Sequence, residues 1–163
     1  MENKIAIVTG GSRGIGAETS KLLAEHGYSI CINYLNDDVS AQKIQNEIQS
    51  IGVKCILVKA DISDATDVAR LFETVDSELG TVTLLVNNAG ILMQQCRFDE
   101  ISEDRFAKII QVNLMSCFYS SKEAVKRMST RYGGRGGVIV NVSSMAAKTG
   151  SPNEYVDLSL IHI

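Results

Sequence analysis

Two periodicities alternate along this chain. Short runs rich in Val and Ile, at Ile5 to Val8, Ser29 to Asn33, Lys54 to Val58, Thr83 to Val86 and Gly137 to Val142, read as strands. Between them lie segments of helical spacing at Gly14 to His26, Val39 to Ser50, Ala65 to Leu79 and Ser102 to Thr130. The first helix is expected to stop at Gly27, because glycine just past the last turn is the commonest helix stop. The last and longest segment places Phe106, Ile110, Leu114, Cys117, Ser121, Val125 and Met128 on one face, with Glu103, Lys108, Lys122 and Lys126 opposite. Gly133 to Gly137 reads as a loop. Strands alternating with helices predict an α/β fold: a Rossmann-type doubly wound parallel sheet of five strands joined by four crossovers.

Composition narrows the function without choosing it. The 163 residues are 45% apolar and 21% charged, which fits one globular domain and excludes disorder and a membrane span. Lys+Arg number 16 against Asp+Glu 19, a net charge of -3, so the broad basic face that nucleic acid requires is missing. Cys31, Cys55, Cys96 and Cys117 are scattered without metal-ligand or redox spacing, and MENKIAIVTG lacks a signal peptide's apolar region. Reduced thiols and a cytoplasmic location are expected, with no metal.

Candidate chemistry begins where the first strand runs into Thr9-Gly10-Gly11-Ser12-Arg13-Gly14-Ile15-Gly16 and then a helix. Glycines let the backbone turn tightly and approach phosphates, and a helix N-terminus offers free N–H groups and partial positive charge. A glycine-rich turn that binds nothing is the alternative for this motif taken alone. It is not alone, because the fourth strand ends Asn87-Asn88-Ala89-Gly90.

TGxxxGxG followed by NNAG resembles the paired signature of the short-chain dehydrogenase/reductase family. Asp61 after the third strand, Asn113 in the long helix and Val140-Asn141-Val142-Ser143-Ser144 after the fifth extend the resemblance from Ile5 to about Asp157. Within the family the chain is most similar to the branch described as glucose-1-dehydrogenase-like or 3-oxoacyl-carrier-protein-reductase-like. The resemblance implies an oxidoreductase that moves hydride between a nicotinamide dinucleotide and a small carbonyl or alcohol substrate. It implies that Gly10, Ser12, Arg13, Gly14, Ile15 and Gly16 cradle the cofactor, with Asn33 and Tyr34 at the end of the second strand. Asp61 and Ile62 would flank the adenine, and Asn87, Ala89 and Gly90 would line the ribose and nicotinamide side. For Asn88 two roles stay open, lining that site or tying strands together.

Charge decides between cofactors. An acid ending the second strand would bind the 2′-hydroxyl of NAD, whereas an arginine favours the 2′-phosphate of NADP. Here the strand ends neutrally at Ile32-Asn33-Tyr34, and Arg13 stands in the glycine loop, so NADP is expected over NAD. Asp37 and Asp38 are expected to lie too far into the next loop to serve as the acid.

The family's chemistry uses a serine that orients the substrate oxygen, a tyrosine whose pKa a lysine lowers, and an asparagine in the proton relay. Asn113 matches the asparagine and Ser144 the serine, with Ser143 its neighbour. The tyrosine and lysine are expected at positions 158 and 162, where this chain has Leu158 and His162; Tyr155 is out of register and is followed four residues later by Ser159. The abrupt break after Asp157 reads as a scar: residues 158–163 are also the translation of a sequencing-adaptor end, leaving 1–157 as an incomplete domain cut after the fifth of seven expected strands. Such a piece would leave its fifth strand a bare edge and its long helix with an exposed apolar face, would be poorly soluble, and would lack activity. The full-length parent is expected to be a homodimer or homotetramer. The alternative is a non-catalytic NAD(P)-binding module or cofactor sensor.

Overall fold

The computed structural model describes residues 4–145, so Tyr155, Leu158, His162 and the 158–163 segment lie outside the described residues. Five strands, β1 (Ile5–Val8), β2 (Ser29–Tyr34), β3 (Cys55–Lys59), β4 (Leu84–Asn87) and β5 (Val138–Asn141), form one sheet in the order β3-β2-β1-β4-β5. Every pairing is parallel, with Ile7 opposite Cys31 on one side and Leu85 on the other. Each crossover carries a helix: α1 (Gly14–Glu25), α2 (Asp38–Ser50) and α3 (Ala65–Glu78). The expected α/β architecture is the one found.

Parallel strands need apolar residues on both faces because helices cover both. All four residues of β1 are buried. Ile5, Ile7 and Cys31 pack with Val68, Leu71, Phe72 and Val75 of α3 on one side, and Ala6, Val8, Ile30 and Ile32 pack with Ala17, Ala24, Ile44 and Ile48 on the other. Each large side chain so buried contributes about 1.5–3 kcal/mol. Local chemistry sets the helix ends. Asp37 and Asp64 cap α2 and α3 through N–H groups of Ser40 and of Thr66 and Asp67. Gly27, at φ +80°, closes α1 as expected.

The segment expected as a single helix from Ser102 to Thr130 is instead α4 (Glu103–Ile109), a π-helical stretch (Ile110–Met115) and α5 (Ser116–Met128). Its buried residues are Ile109, Ser116, Ser120, Ala124 and Met128, whereas Phe106, Leu114 and Val125 of the expected face are exposed. The π stretch shifts the phase, since each such turn takes more residues than an α turn. Small side chains then do the packing, Ser116, Ser120 and Ala124 taking the place of the expected Cys117, Ser121 and Val125. Phe118 and Val125 on α5, and Val138 and Val140 on β5, are exposed. Among the described residues β5 pairs with β4 alone.

Candidate functional site

The strand order reverses between β1 and β4, and a crevice opens there beyond the carboxyl ends of the strands. It is a cleft of about 840 Å³. Its walls come from the loop after β1, the end of β2 and start of α2, the β3–α3 turn, the segment after β4, and α4 with the π stretch.

The glycine loop is built by exclusion. Gly10 and Gly14 have φ of +61° and +51°, which favour glycine, and a Cβ at Gly16 would strike the Gly10 carbonyl and come within 2.5 Å of Asn88 Nδ2. Thr9 is the hub under the loop. Its hydroxyl accepts from the N–H groups of Asn88 (3.0 Å) and Ala89 (3.1 Å) and donates to the Val86 carbonyl (3.3 Å). Asn88 returns the contact, its amide donating to the carbonyls of Thr9 (2.9 Å) and Gly10 (3.2 Å). Of the two roles open for Asn88, strand-tying is therefore realised, while the residue also borders the cleft.

Asn33 is almost fully buried and works in the same way. Its Oδ1 accepts from Gly10 N–H (3.4 Å), its Nδ2 donates to the carbonyls of Ala60 (2.9 Å) and Val58 (3.4 Å), and its own carbonyl accepts from Gly11 N–H (2.9 Å). One residue thus joins the glycine loop to the end of β3. With the N–H groups of Gly10 and Gly11 committed, the donors left for a ligand are those of Ser12, Arg13 and the start of α1. Gly14, Ile15 and Gly16 occupy the first turn, whose N–H groups have no partner inside the helix, no side chain caps them, and no acidic residue stands among them. An anion fits these donors.

The other site residues divide by position. Ser12 is buried and lines the cleft, and Arg13 lines it while largely exposed, its Nη1 3.9 Å from Asp37 Oδ2. Tyr34 borders it, with its hydroxyl donating to Asp38 at 2.9 Å. Asp61 holds the β3–α3 turn, Oδ1 accepting from the N–H (2.8 Å) and hydroxyl (2.6 Å) of Ser63, and its Oδ2 has no protein partner among the described residues. Ile62 belongs to the core and still touches the cleft. Ala89 and Gly90 line it; Asn87 does not, since its amide is buried and donates to Ser121 Oγ (3.2 Å) and Asn141 Oδ1 (2.8 Å), tying β4 to α5 and β5. Asn113 sits in the π stretch with its amide on the backbone of Ile91. Ser143 and Ser144 follow β5 and are exposed. Asp37 and Asp38, expected too far into the loop to serve as the acid, are among the residues that line the cleft. The reason is that α2 begins at Asp38, so the connection from β2 is too short to carry them away. Lys108, expected on the charged face of the long helix, also borders the cleft.

A glycine loop, an uncapped helix start and an NNAG turn locked to one threonine are matched by sequence comparison. The family model for short chain dehydrogenase covers residues 4–156. The chain belongs to the short-chain dehydrogenase family. Its relatives in that family include the uncharacterized oxidoreductase YgfF of Escherichia coli K12, 46% identical over 153 residues, covering 94% of this chain and 62% of the relative. The 3-oxoacyl-[acyl-carrier-protein] reductase FabG of Staphylococcus aureus Mu50 is 34% identical, covering 93% and 60%. A short-chain type dehydrogenase/reductase of Picea abies is 36% identical, covering 88% and 55%. The chain therefore spans about 60% of the length of the curated relatives it matches. Among the described residues no His, Cys, Asp and Glu cluster could hold a metal, and no helix is long and apolar enough to cross a membrane.

Proposed function

We propose that the chain is the nucleotide-binding part of an oxidoreductase that moves hydride between NADP(H) and a small carbonyl or alcohol substrate. The observation that carries this reading is the start of α1, whose first turn has no side-chain cap and no acidic residue and whose Gly14 lines the cleft. In this reading the N–H groups of Gly14, Ile15 and Gly16, with Ser12, hold the pyrophosphate, while Gly10 gives it room. Arg13 takes the 2′-phosphate. Asn33 and Tyr34 frame the adenosine from the end of β2, and Asp61 accepts from the adenine amino group through its uncommitted Oδ2 beside Ile62. Ala89 and Gly90 border the ribose and nicotinamide side, held in place by Asn87 and Thr9. The nicotinamide, when bound, supplies or accepts the hydride.

Ser144 orients the substrate oxygen and Asn113 supports the proton relay by fixing the backbone at Ile91. Proton transfer itself requires a tyrosine and a lysine, and the positions assigned to them carry Leu158 and His162. The 163-residue chain is therefore a binder without turnover. Titration of NADPH into the chain, read by nicotinamide fluorescence, is expected to saturate, while a panel of carbonyl substrates gives no oxidation of NADPH. Turnover overturns the assignment of the missing acid, and absence of any binding overturns the whole reading.

A second reading has its own observation. Leu158 and His162, taken as native, make a non-catalytic NAD(P)-binding module or cofactor sensor. Re-sequencing the locus by an independent method separates the two. An adaptor origin for residues 158–163 supports the enzyme, and a genomic codon for Leu158 supports the sensor. The parent enzyme is proposed to be a cytoplasmic homodimer or homotetramer.

A further inference from the structure

Lys108 stands apart from the other charged residues of the cleft. Arg13 faces Asp37 across 3.9 Å, and Asp38 is held by Lys59 Nζ at 3.0 Å. Lys108 lines the same cleft and is exposed, and among the described residues its ammonium has neither an ion pair nor a hydrogen bond. Its wall is fixed beside the β3–α3 turn. The Gln111 amide donates to the Ser63 carbonyl, and Ser63 is the residue whose N–H and hydroxyl hold Asp61 Oδ1. Lys108 and Val112 therefore rise from an element bonded to the turn that carries Asp61 and Ile62, and all four residues line the cleft. Among the described residues, that end offers an acceptor without a protein donor, Asp61 Oδ2, and a donor without a protein acceptor, Lys108 Nζ. The side chains of Ile62 and Val112 add apolar surface.

We propose that Lys108 is a specificity-determining residue that reads the base of the bound nucleotide, donating to adenine N7 while Asp61 accepts from the adjacent amino group. The proposal rests on the dinucleotide reading above and deepens it. Adenine shows a donor and an acceptor side by side on this edge, whereas a 6-oxo purine shows two acceptors. The lysine serves either base, but the carboxylate beside it serves adenine and repels the oxo group. The pair thus has the polarity that adenine requires, and the two apolar side chains suit the faces of a flat ring. A lysine fits the task because its flexible four-carbon stem lets the ammonium swing onto a base that has entered and return to water when the base leaves.

The test compares NADPH with an analogue whose adenine N7 is replaced by a CH group, each titrated into the 163-residue chain and into Lys108→Met. Lys108 is exposed, so the variant is expected to melt with the parent. The parent is expected to bind the analogue about three- to tenfold more weakly than NADPH, and Lys108→Met to bind both alike at the weaker affinity. Equal losses for the analogue in parent and variant overturn the contact with N7. A variant loss that vanishes in about 0.5 M salt overturns it too, because it marks only a general attraction for an anion. Lys108→Met that binds NADPH like the parent overturns the role of Lys108 and leaves the dinucleotide reading standing. Failure of the parent to bind NADPH overturns both readings together.

Discussion

The side-chain amide of Asn113 is bonded twice to the backbone of Ile91, accepting from its N–H at 2.8 Å and donating to its carbonyl at 2.9 Å. An amide placed this way mimics a strand partner. It gives the segment after β4 the pairing that no strand supplies there, and it holds the π stretch against the wall of the cleft. Asn113→Leu leaves both backbone groups without a partner and is expected to cost about 1–3 kcal/mol. Asn113→Asp keeps the acceptor and turns a repelling oxygen toward the Ile91 carbonyl, and is expected to be destabilising as well. Urea unfolding of the two variants against the parent checks both, and an unperturbed midpoint in Asn113→Leu would remove the amide's structural role.

Gly16 leaves no room for a methyl group, because its Cβ would meet the Gly10 carbonyl and Asn88 Nδ2 together. Both neighbours are fixed, one as backbone and one by two hydrogen bonds. Gly16→Ala is therefore expected to displace the loop and weaken NADPH binding by about tenfold or more, a loss above about 1.4 kcal/mol. Gly27→Ala, at a position with open space but φ +80°, should instead lower stability and leave affinity unchanged. Fluorescence titration and thermal melts on the same samples distinguish the two effects.

Asn33→Ala removes the bonds to Gly10, Val58 and Ala60 at a buried position. The loss expected is about 1–3 kcal/mol in unfolding free energy, from stranded backbone groups alone. Hydrogen exchange should also rise at both Gly10 and Asp61, which no local effect on β2 would produce. Exchange that rises at only one of them would show that the two ends of the cleft are not joined through this side chain.

Acid sensitivity follows from four carboxylates held below their ordinary values, Glu123 beside Lys126 and Arg127 being one of them. The Ser40 N–H and hydroxyl, helped by Arg13, hold Asp37 below its ordinary value of 3.8. Lys59 and the Tyr34 hydroxyl do the same for Asp38, and Arg70 together with the Asp61 N–H does so for Asp67. A folded pKa below the unfolded one gives stability that is present above the unfolded value and is lost as pH falls through the folded one. Melting temperature is expected to hold from neutral pH to about 5 and to fall below about 4. Asp67→Asn should lower it near neutrality and flatten the acid limb, and an acid limb as steep as the parent's would count against this.

The thiols should separate into two classes. Burial raises Cys55 to about 12 and Cys31 well above its ordinary value. Neither yields appreciable thiolate near pH 8, whereas Cys96 and Cys117 are only half-buried. An aromatic disulfide reagent at that pH is expected to titrate Cys96 and Cys117 in the native chain and to reach Cys31 and Cys55 only in denaturant. Mass spectrometry of the labelled peptides identifies which thiols have reacted.

Strand positions were readable because a parallel strand needs an unbroken apolar run, and β1 and β2 supply one. Gly10, Gly14 and Gly16 were readable because their backbone demands exclude other residues. The extent of the long helix is legible, but its packed face lies one residue from the expected one, at Ser116, Ser120 and Ala124 in place of Cys117, Ser121 and Val125, because the π stretch changes the period midway. The polar identity of Asn87 points toward a ligand, yet its amide is buried and bonded to Ser121 and Asn141, whereas Asn33, bonded as fully, also lines the cleft. Nothing in one sequence distinguishes an amide facing a cleft from one turned under it. Counting residues past β2 places Asp37 in a loop, and the start of α2 at Asp38 keeps that loop short enough for Asp37 to line the cleft.

The bracket that Asn33 and Thr9 make beneath the cleft has an evolutionary corollary. Its members are interior and each holds several backbone groups, so any exchange there disturbs the frame before it touches a ligand. Arg13 and Lys108 stand at its rim, both exposed and neither needed to hold it together. Nucleotide preference in such a molecule could drift through two codons at the edge while the scaffold that presents them stayed the same.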